Sequence, residues 1–146
     1  MRLRGLFVVF VSALVVAAGC GDSPTRPSSA PYSQTELHIG SGLEATSGEV
    51  ITVNYTGWLW DPTKIDGKGI QFDSSANAGP FSFTLGQGNV IAGWDRGVPG
   101  MRTGGLRRLV VPPSLAYGIA RYGPIPPDST LVFDIELVDV QITQVP

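Results

Sequence analysis

The chain is poor in the side chains that most enzymes use for chemistry. It has one cysteine, Cys20, and one histidine, His38, in 146 residues, and charged residues make up only 15%. A lone cysteine forms no intrachain disulfide, so no covalent staple holds the fold. Without a second Cys or His there is no plausible zinc site. A Ser–His–Asp hydrolase would have to recruit His38, which sits beside a linker and reads as a solvated surface residue. No glycine motif that cradles phosphate follows a strand, and no internal repeat is present. Nothing in the sequence calls for a metal or an organic cofactor.

What is abundant is glycine (19), proline (12) and well-spaced aromatics. The N-terminus reads as a segment removed from the mature chain. Arg2 and Arg4 precede an uncharged run from Gly5 to Gly19, too short for a comfortable membrane span and laid out like a secretory signal. It ends Val16-Ala17-Ala18-Gly19-Cys20, which resembles a bacterial lipobox in which Cys20 takes the lipid and becomes the mature N-terminus. The alternative is an ordinary signal peptide with an incidental cysteine. Each buried methylene of an acyl chain adds ~0.8 kcal/mol of membrane affinity. Removing residues 1–19 takes Lys+Arg from 10 to 8 against 12 acids, a formal charge of −4. No basic stripe remains, so nucleic acid is not an expected partner. Residues 20–33 are rich in Ser, Pro, Gly and Thr and read as a tether. Residues 34–146 amount to one domain.

Period-two alternation marks the strands. Ile51, Val53 and Tyr55 alternate with Thr52, Asn54 and Thr56. Phe81, Phe83 and Leu85 alternate with Ser82 and Thr84. Leu131, Phe133, Ile135 and Leu137 alternate with Val132, Asp134 and Glu136. Leu106 to Val111 is a further strand, ended by Pro112-Pro113. The one convincing helix is short, Ile91 to Val98, with glycine at both flanks. The expected class is α+β, an antiparallel β-sheet wrapped around one short α-helix.

Two proline pairs bracket a loop with a lone tyrosine: Val111-Pro112-Pro113-Ser114-Leu115-Ala116-Tyr117-Gly118, then Ile125-Pro126-Pro127-Asp128. Proline-fixed loops lose less entropy on folding and hold their side chains in place. This segment resembles the FKBP-type peptidyl-prolyl isomerases, the tacrolimus-binding immunophilins. The resemblance runs from about Ser47 to Leu137. It includes Val53-Asn54-Tyr55-Thr56-Gly57, the turn Phe72-Asp73-Ser74-Ser75, Pro80-Phe81-Ser82-Phe83-Thr84-Leu85-Gly86, and Val90-Ile91-Ala92-Gly93-Trp94-Asp95-Arg96-Gly97-Val98. Each motif alone is weak; in the family's order they are specific.

The resemblance implies the family's fold and a proline-binding pocket. Tyr55, Phe72, Phe81, Trp94, Tyr117 and Phe133 would converge, with Trp94 as floor, Val90 and Ile91 as a wall, and Ile125 at one edge. Phe83, Leu131 and Ile135 are read as core. Catalytic parts fall to Tyr55, Asp73, the backbone N–H of Ile91 and the hydroxyl of Tyr117. Asp73 either braces Tyr55 or caps a turn, since Asp-Ser-Ser is also ordinary turn chemistry. A phenol facing an apolar cavity needs a partner, and a bound peptide carbonyl would supply one.

The implied function is peptidyl-prolyl cis-trans isomerisation of exported, proline-containing polypeptides. The chain would act as a monomer anchored to a bacterial membrane through Cys20, in the periplasm or at the cell surface, with tacrolimus-like macrolides as pocket ligands. A non-catalytic binding module using the same pocket is the competing class. A general chaperone is a third, but the loop from Gly118 to Pro127 is too short for a chaperone insertion. That loop is one residue short of the family's pattern, with Pro124 where an aliphatic residue is common. Trp60 to Gln71 is an added stretch; Trp60 and Ile65 there either cap the pocket or pack on the sheet.

Overall fold

A computed structural model describes residues 29–142. The signal segment, Cys20 and most of the tether lie outside the described residues. Six strands form one antiparallel sheet: β1 (Ser33–His38), β2 (Val50–Trp60), β3 (Lys68–Ser74), β4 (Phe81–Thr84), β5 (Leu106–Val111) and β6 (Leu131–Gln141). The order is β1-β5-β6-β2-β3, and β4 also pairs with β2. The 11-residue strands β2 and β6 form the spine. One edge of β2 is shared, with Val50 to Val53 pairing β4 and Thr56 to Trp60 pairing β3.

The alternating apolar residues face inward as their period requires. Ile51, Val53, Leu109, Val111, Leu131, Ile135 and Leu137 are all buried. The alternation in β6 changes phase at Val138. Thr52 pairs with Asp139 but Val53 with Leu137, so Val138 bulges out and Val140 turns inward.

The single α-helix, α1 (Ala92–Gly97), lies on this inner face with Trp94 and Val98 in the core. It is shorter by one residue at each end than the sequence indicates, with Ile91 as its N-cap residue. Its closeness to the sheet depends on Gly93, which packs directly on the Val111 side chain. Gly57 does the same for the rings: a Cβ there would lie 2.7 Å from Phe72 Cζ and 2.9 Å from Phe133 Cε1, inside van der Waals contact.

Folded structure begins ahead of Gln34. β1 starts at Ser33, and Tyr32 packs on the core, its hydroxyl 3.3 Å from the Gly93 carbonyl oxygen and its ring under Arg96 at 4.5 Å. All six residues of β1 are exposed, so no apolar alternation announced it. Arg107 points inward from β5 and is only 7% exposed. It pairs with Glu36 of β1 and donates to the carbonyls of Gly97 and Pro99 past the C-terminal end of α1. One buried cation thus joins the edge strand to the helix.

The added stretch between Trp60 and Gln71 lengthens the β2–β3 hairpin. Trp60, Gly67 and Val132 meet on the outer face, where Val132 is buried, while Ile65 is fully exposed. Trp60 therefore packs on the sheet, and Ile65 neither packs there nor caps the pocket.

Candidate active site

The inner face of the sheet and α1 enclose a cavity of about 250 Å³. Its floor is Trp94. Tyr55, Phe72 and Phe133 line it from the sheet, Phe81 stands at the rim, and Val90 and Ile91 form the wall expected of them. The rings are held edge to face. Trp94 meets Tyr55 at 5.2 Å and 77°, and Phe133 at 5.3 Å and 88°; Phe133 meets Phe72 at 5.7 Å and 90°. These are the preferred arrangements for aromatic pairs and leave little rotational slack. The indole Nε1 of Trp94 is buried without a partner.

Asp73 braces Tyr55, while the cap of the following turn is Ser74, whose hydroxyl accepts the Ala76 N–H. One carboxylate oxygen accepts the Tyr55 hydroxyl at 2.7 Å, and the other accepts the Ser74 backbone N–H at 2.8 Å. The segment is not simply a turn: Phe72 and Asp73 belong to β3, and the chain turns only at the 3₁₀ segment Ser75–Asn77. Ser75 is buried and accepts the Tyr55 backbone N–H at 2.9 Å, which fastens the turn to β2. The Tyr55 phenol is pushed well above its ordinary value, first by burial and then by its bond to Asp73. Its proton is committed to Asp73, so Tyr55 does not offer it to a bound carbonyl.

Besides the Trp94 indole, two donors of the expected catalytic set are uncommitted. The Tyr117 hydroxyl has no hydrogen-bond partner among the described residues, and burial raises its pKa. The Ile91 N–H likewise has no acceptor there. Ile91 is positioned from below by Asp95 on α1, whose carboxylate accepts the N–H groups of Gly86 at 2.8 Å and Gly88 at 2.9 Å. Both glycines have left-handed backbones, with φ of 78° and 71°. The turn they form delivers Asn89, Val90 and Ile91 to the cavity.

Ile125 departs from expectation. It is 2% exposed, belongs to the core and does not line the cavity. A tight turn draws Ile125 down: Tyr122 and Ile125 exchange backbone hydrogen bonds at 3.1 and 2.9 Å. The lining residue from this loop is Tyr122, whose ring stacks on Tyr117 at 4.2 Å and 6°. Tyr122 and Asn89 escaped sequence reasoning. A second aromatic five residues after Tyr117 was the available signal for Tyr122; nothing singled out Asn89.

A wider depression of about 510 Å³ lies on the outer face, lined among others by Asn54, Thr56, Trp58, Asp134 and Glu136. Of the expected site residues only Tyr55 touches it. Among the described residues, no three His, Cys, Asp or Glu side chains gather to hold a metal ion.

An antiparallel sheet packed over a short helix thus frames an aromatic cavity with unpartnered hydrogen-bond donors on its lining. The sequence profile of the FKBP-type peptidyl-prolyl cis-trans isomerases matches residues 42–138, and the chain belongs to that family. It is 47% identical over 107 residues to an FK506-binding protein of Neisseria meningitidis serogroup B, covering 72% of this chain and 92% of that one. It is 47% identical over 109 residues to the peptidyl-prolyl cis-trans isomerase FKBP53 of Arabidopsis thaliana, covering 73% of this chain but only 22% of the plant protein. Among solved structures, AtFKBP13 superposes with a TM-score of 0.65 at 40% identity, covering 78% of this chain and 98% of that one. FkpA from Escherichia coli superposes at 0.63 and 42%, covering 75% of this chain and 48% of that one.

Proposed function

We propose that the cavity catalyses cis/trans exchange of Xaa-Pro bonds in exported polypeptides, with the proline ring on Trp94. The observation that carries this is the pairing of an aromatic-lined cavity with unpartnered donors, among them the Tyr117 hydroxyl and the Ile91 N–H. Resonance gives the amide a barrier of ~18–20 kcal/mol. Twisting the bond breaks that resonance and localises the nitrogen lone pair, so the twisted amide is less dipolar than the planar one. A dry aromatic cavity therefore favours the transition state over the ground state. Tyr117 holds the carbonyl of the residue before proline, and Ile91 N–H holds the carbonyl on the other side, so the chain is gripped while the bond turns. Asp73 acts on Tyr55, fixing the ring that borders the cavity. No nucleophile or general base takes part. A protease-coupled assay tests the assignment: catalysis is expected, and tacrolimus (FK506) should inhibit it competitively, since relatives carry that ligand in their names. Absence of catalysis would leave the pocket as a binding module.

The location is proposed from the sequence. Signal cleavage before Cys20 and acylation of its thiol would anchor a monomeric domain to a bacterial membrane, in the periplasm or at the cell surface. Cys20→Ser should give a protein without lipid mass that a carbonate wash releases; a variant that stays bound, beside a wild type without lipid, would refute the anchor.

A further inference from the structure

The loop after Tyr117 also places an aromatic wall at the cavity mouth. Tyr122 is 59% exposed, yet it is not loose. One ring face lies flat on Tyr117, and its backbone is pinned through paired hydrogen bonds to Ile125, itself locked in the core. The turn between them, Gly123-Pro124, has Gly123 at φ 53° and a proline that removes further freedom. The 6° stack contrasts with the edge-to-face contacts that Trp94 makes with Tyr55 and Phe133. Stacking occupies one face of Tyr122 and leaves the other open beside the cavity. An open, fixed π face attracts another ring at little entropic cost, because the platform is already ordered.

We propose that Tyr122 is a specificity-determining residue that selects Xaa-Pro bonds in which Xaa is aromatic. The inference rests on the isomerase reading: if Tyr117 holds the carbonyl of Xaa, the side chain of Xaa lies next to the ring stacked on Tyr117. An aromatic Xaa then extends the stack by one ring. A leucine at Xaa fills the same space but gains only ordinary apolar contact.

The test compares two peptides that differ only in Phe or Leu before proline, with kcat/KM and Kd measured for each on the protein and its variants. Tyr122→Ala should lower the Phe-to-Leu ratio about threefold or more, the scale of one aromatic pair. Tyr122→Leu, which keeps apolar bulk without a π face, should lower it similarly and guards against collapse of the loop in the alanine variant. Tyr122→Phe should keep the ratio. A ratio unmoved by Tyr122→Ala and Tyr122→Leu overturns the proposal, since a merely structural residue would depress both peptides alike. A fall of equal size in Tyr122→Phe also overturns it, because the hydroxyl would then be the determinant. A wild type that accelerates neither peptide removes the isomerase reading, and the ratio of Kd values still decides the role of Tyr122.

Discussion

Tyr117 and Tyr55 are the same side chain on the same cavity and do different work. Tyr55 donates its hydroxyl hydrogen bond to Asp73 at 2.7 Å and serves as a fixed wall; the Tyr117 hydroxyl has no such acceptor among the described residues. Tyr117→Phe should therefore lower kcat/KM by the worth of one net hydrogen bond, ~0.5–1.5 kcal/mol, or about two- to twelvefold. Its melting temperature should stay within a degree or two of the wild type, as no hydrogen bond within the protein is lost. Loss of activity that tracks loss of melting temperature would count against a direct role. The phenols also set the pH profile. Burial raises both above the ordinary tyrosine value, so both stay neutral through the physiological range. Turnover should be flat from about pH 6 to 8, and a bell-shaped profile there would reveal an acid–base pair in the reaction.

At the scale of elements, β2, β4, β5, β6 and the helix were legible, the strands by their period of two, whereas β3 reads in the sequence as an added stretch ending in a turn. Ile51, Val53 and Tyr55 announce β2, and Leu131 to Leu137 announce β6. β1 was not legible: its side chains are all exposed, and it is held by pairing to β5 and by the Glu36–Arg107 contact, which join residues 71 apart. Tyr32 was assigned by composition to a tether, and only the folded helix shows that it has a seat. The aromatic set of the site was legible through the family resemblance rather than through period, but Ile125 lies in the core and Tyr122, to which the resemblance assigns no role, lines the cavity. Which of two residues in this loop faces the cavity depends on a turn of three-dimensional origin. The crossing of β2 with the Phe72 and Phe133 rings gives a test of element packing. Gly57→Ala would place its Cβ 2.7 Å from Phe72, and should cost ~1–3 kcal/mol in urea denaturation. A neutral Gly57→Ala would mean the rings can part freely.

On the outer face, Asp134 of β6 takes two hydrogen bonds from Arg108 at 2.7 and 2.9 Å and one from Lys68 at 2.6 Å, linking β5, β6 and β3. Burial alone would raise its pKa, but the bonds from Arg108 and Lys68 outweigh that and hold it below the ordinary carboxylate value. A carboxylate with a depressed folded pKa stabilises the protein above its unfolded pKa, and that contribution is lost as pH falls through the folded one. Asp134→Asn should therefore be destabilising at pH 7, by ~1–3 kcal/mol. The gap to the wild type should narrow as the pH drops below about 4. A gap that is constant from pH 7 to pH 2 would show that the charge contributes nothing.

For the whole molecule, the central claim is that a rigid aromatic cavity, with no titrating group in the reaction, turns a peptide bond. The family membership and the unpartnered donors of the cavity agree with it. Binding alone and catalysis differ in one observable. Uncatalysed exchange takes tens to hundreds of seconds, and a catalyst present at a small fraction of the peptide speeds both directions without moving the cis:trans ratio. Exchange NMR on a Phe-Pro peptide with substoichiometric protein measures the rate and the ratio together. The account predicts rapid exchange at an unchanged ratio, abolished by tacrolimus. An unchanged exchange rate, with a cis:trans ratio displaced only in proportion to the protein added, would contradict it.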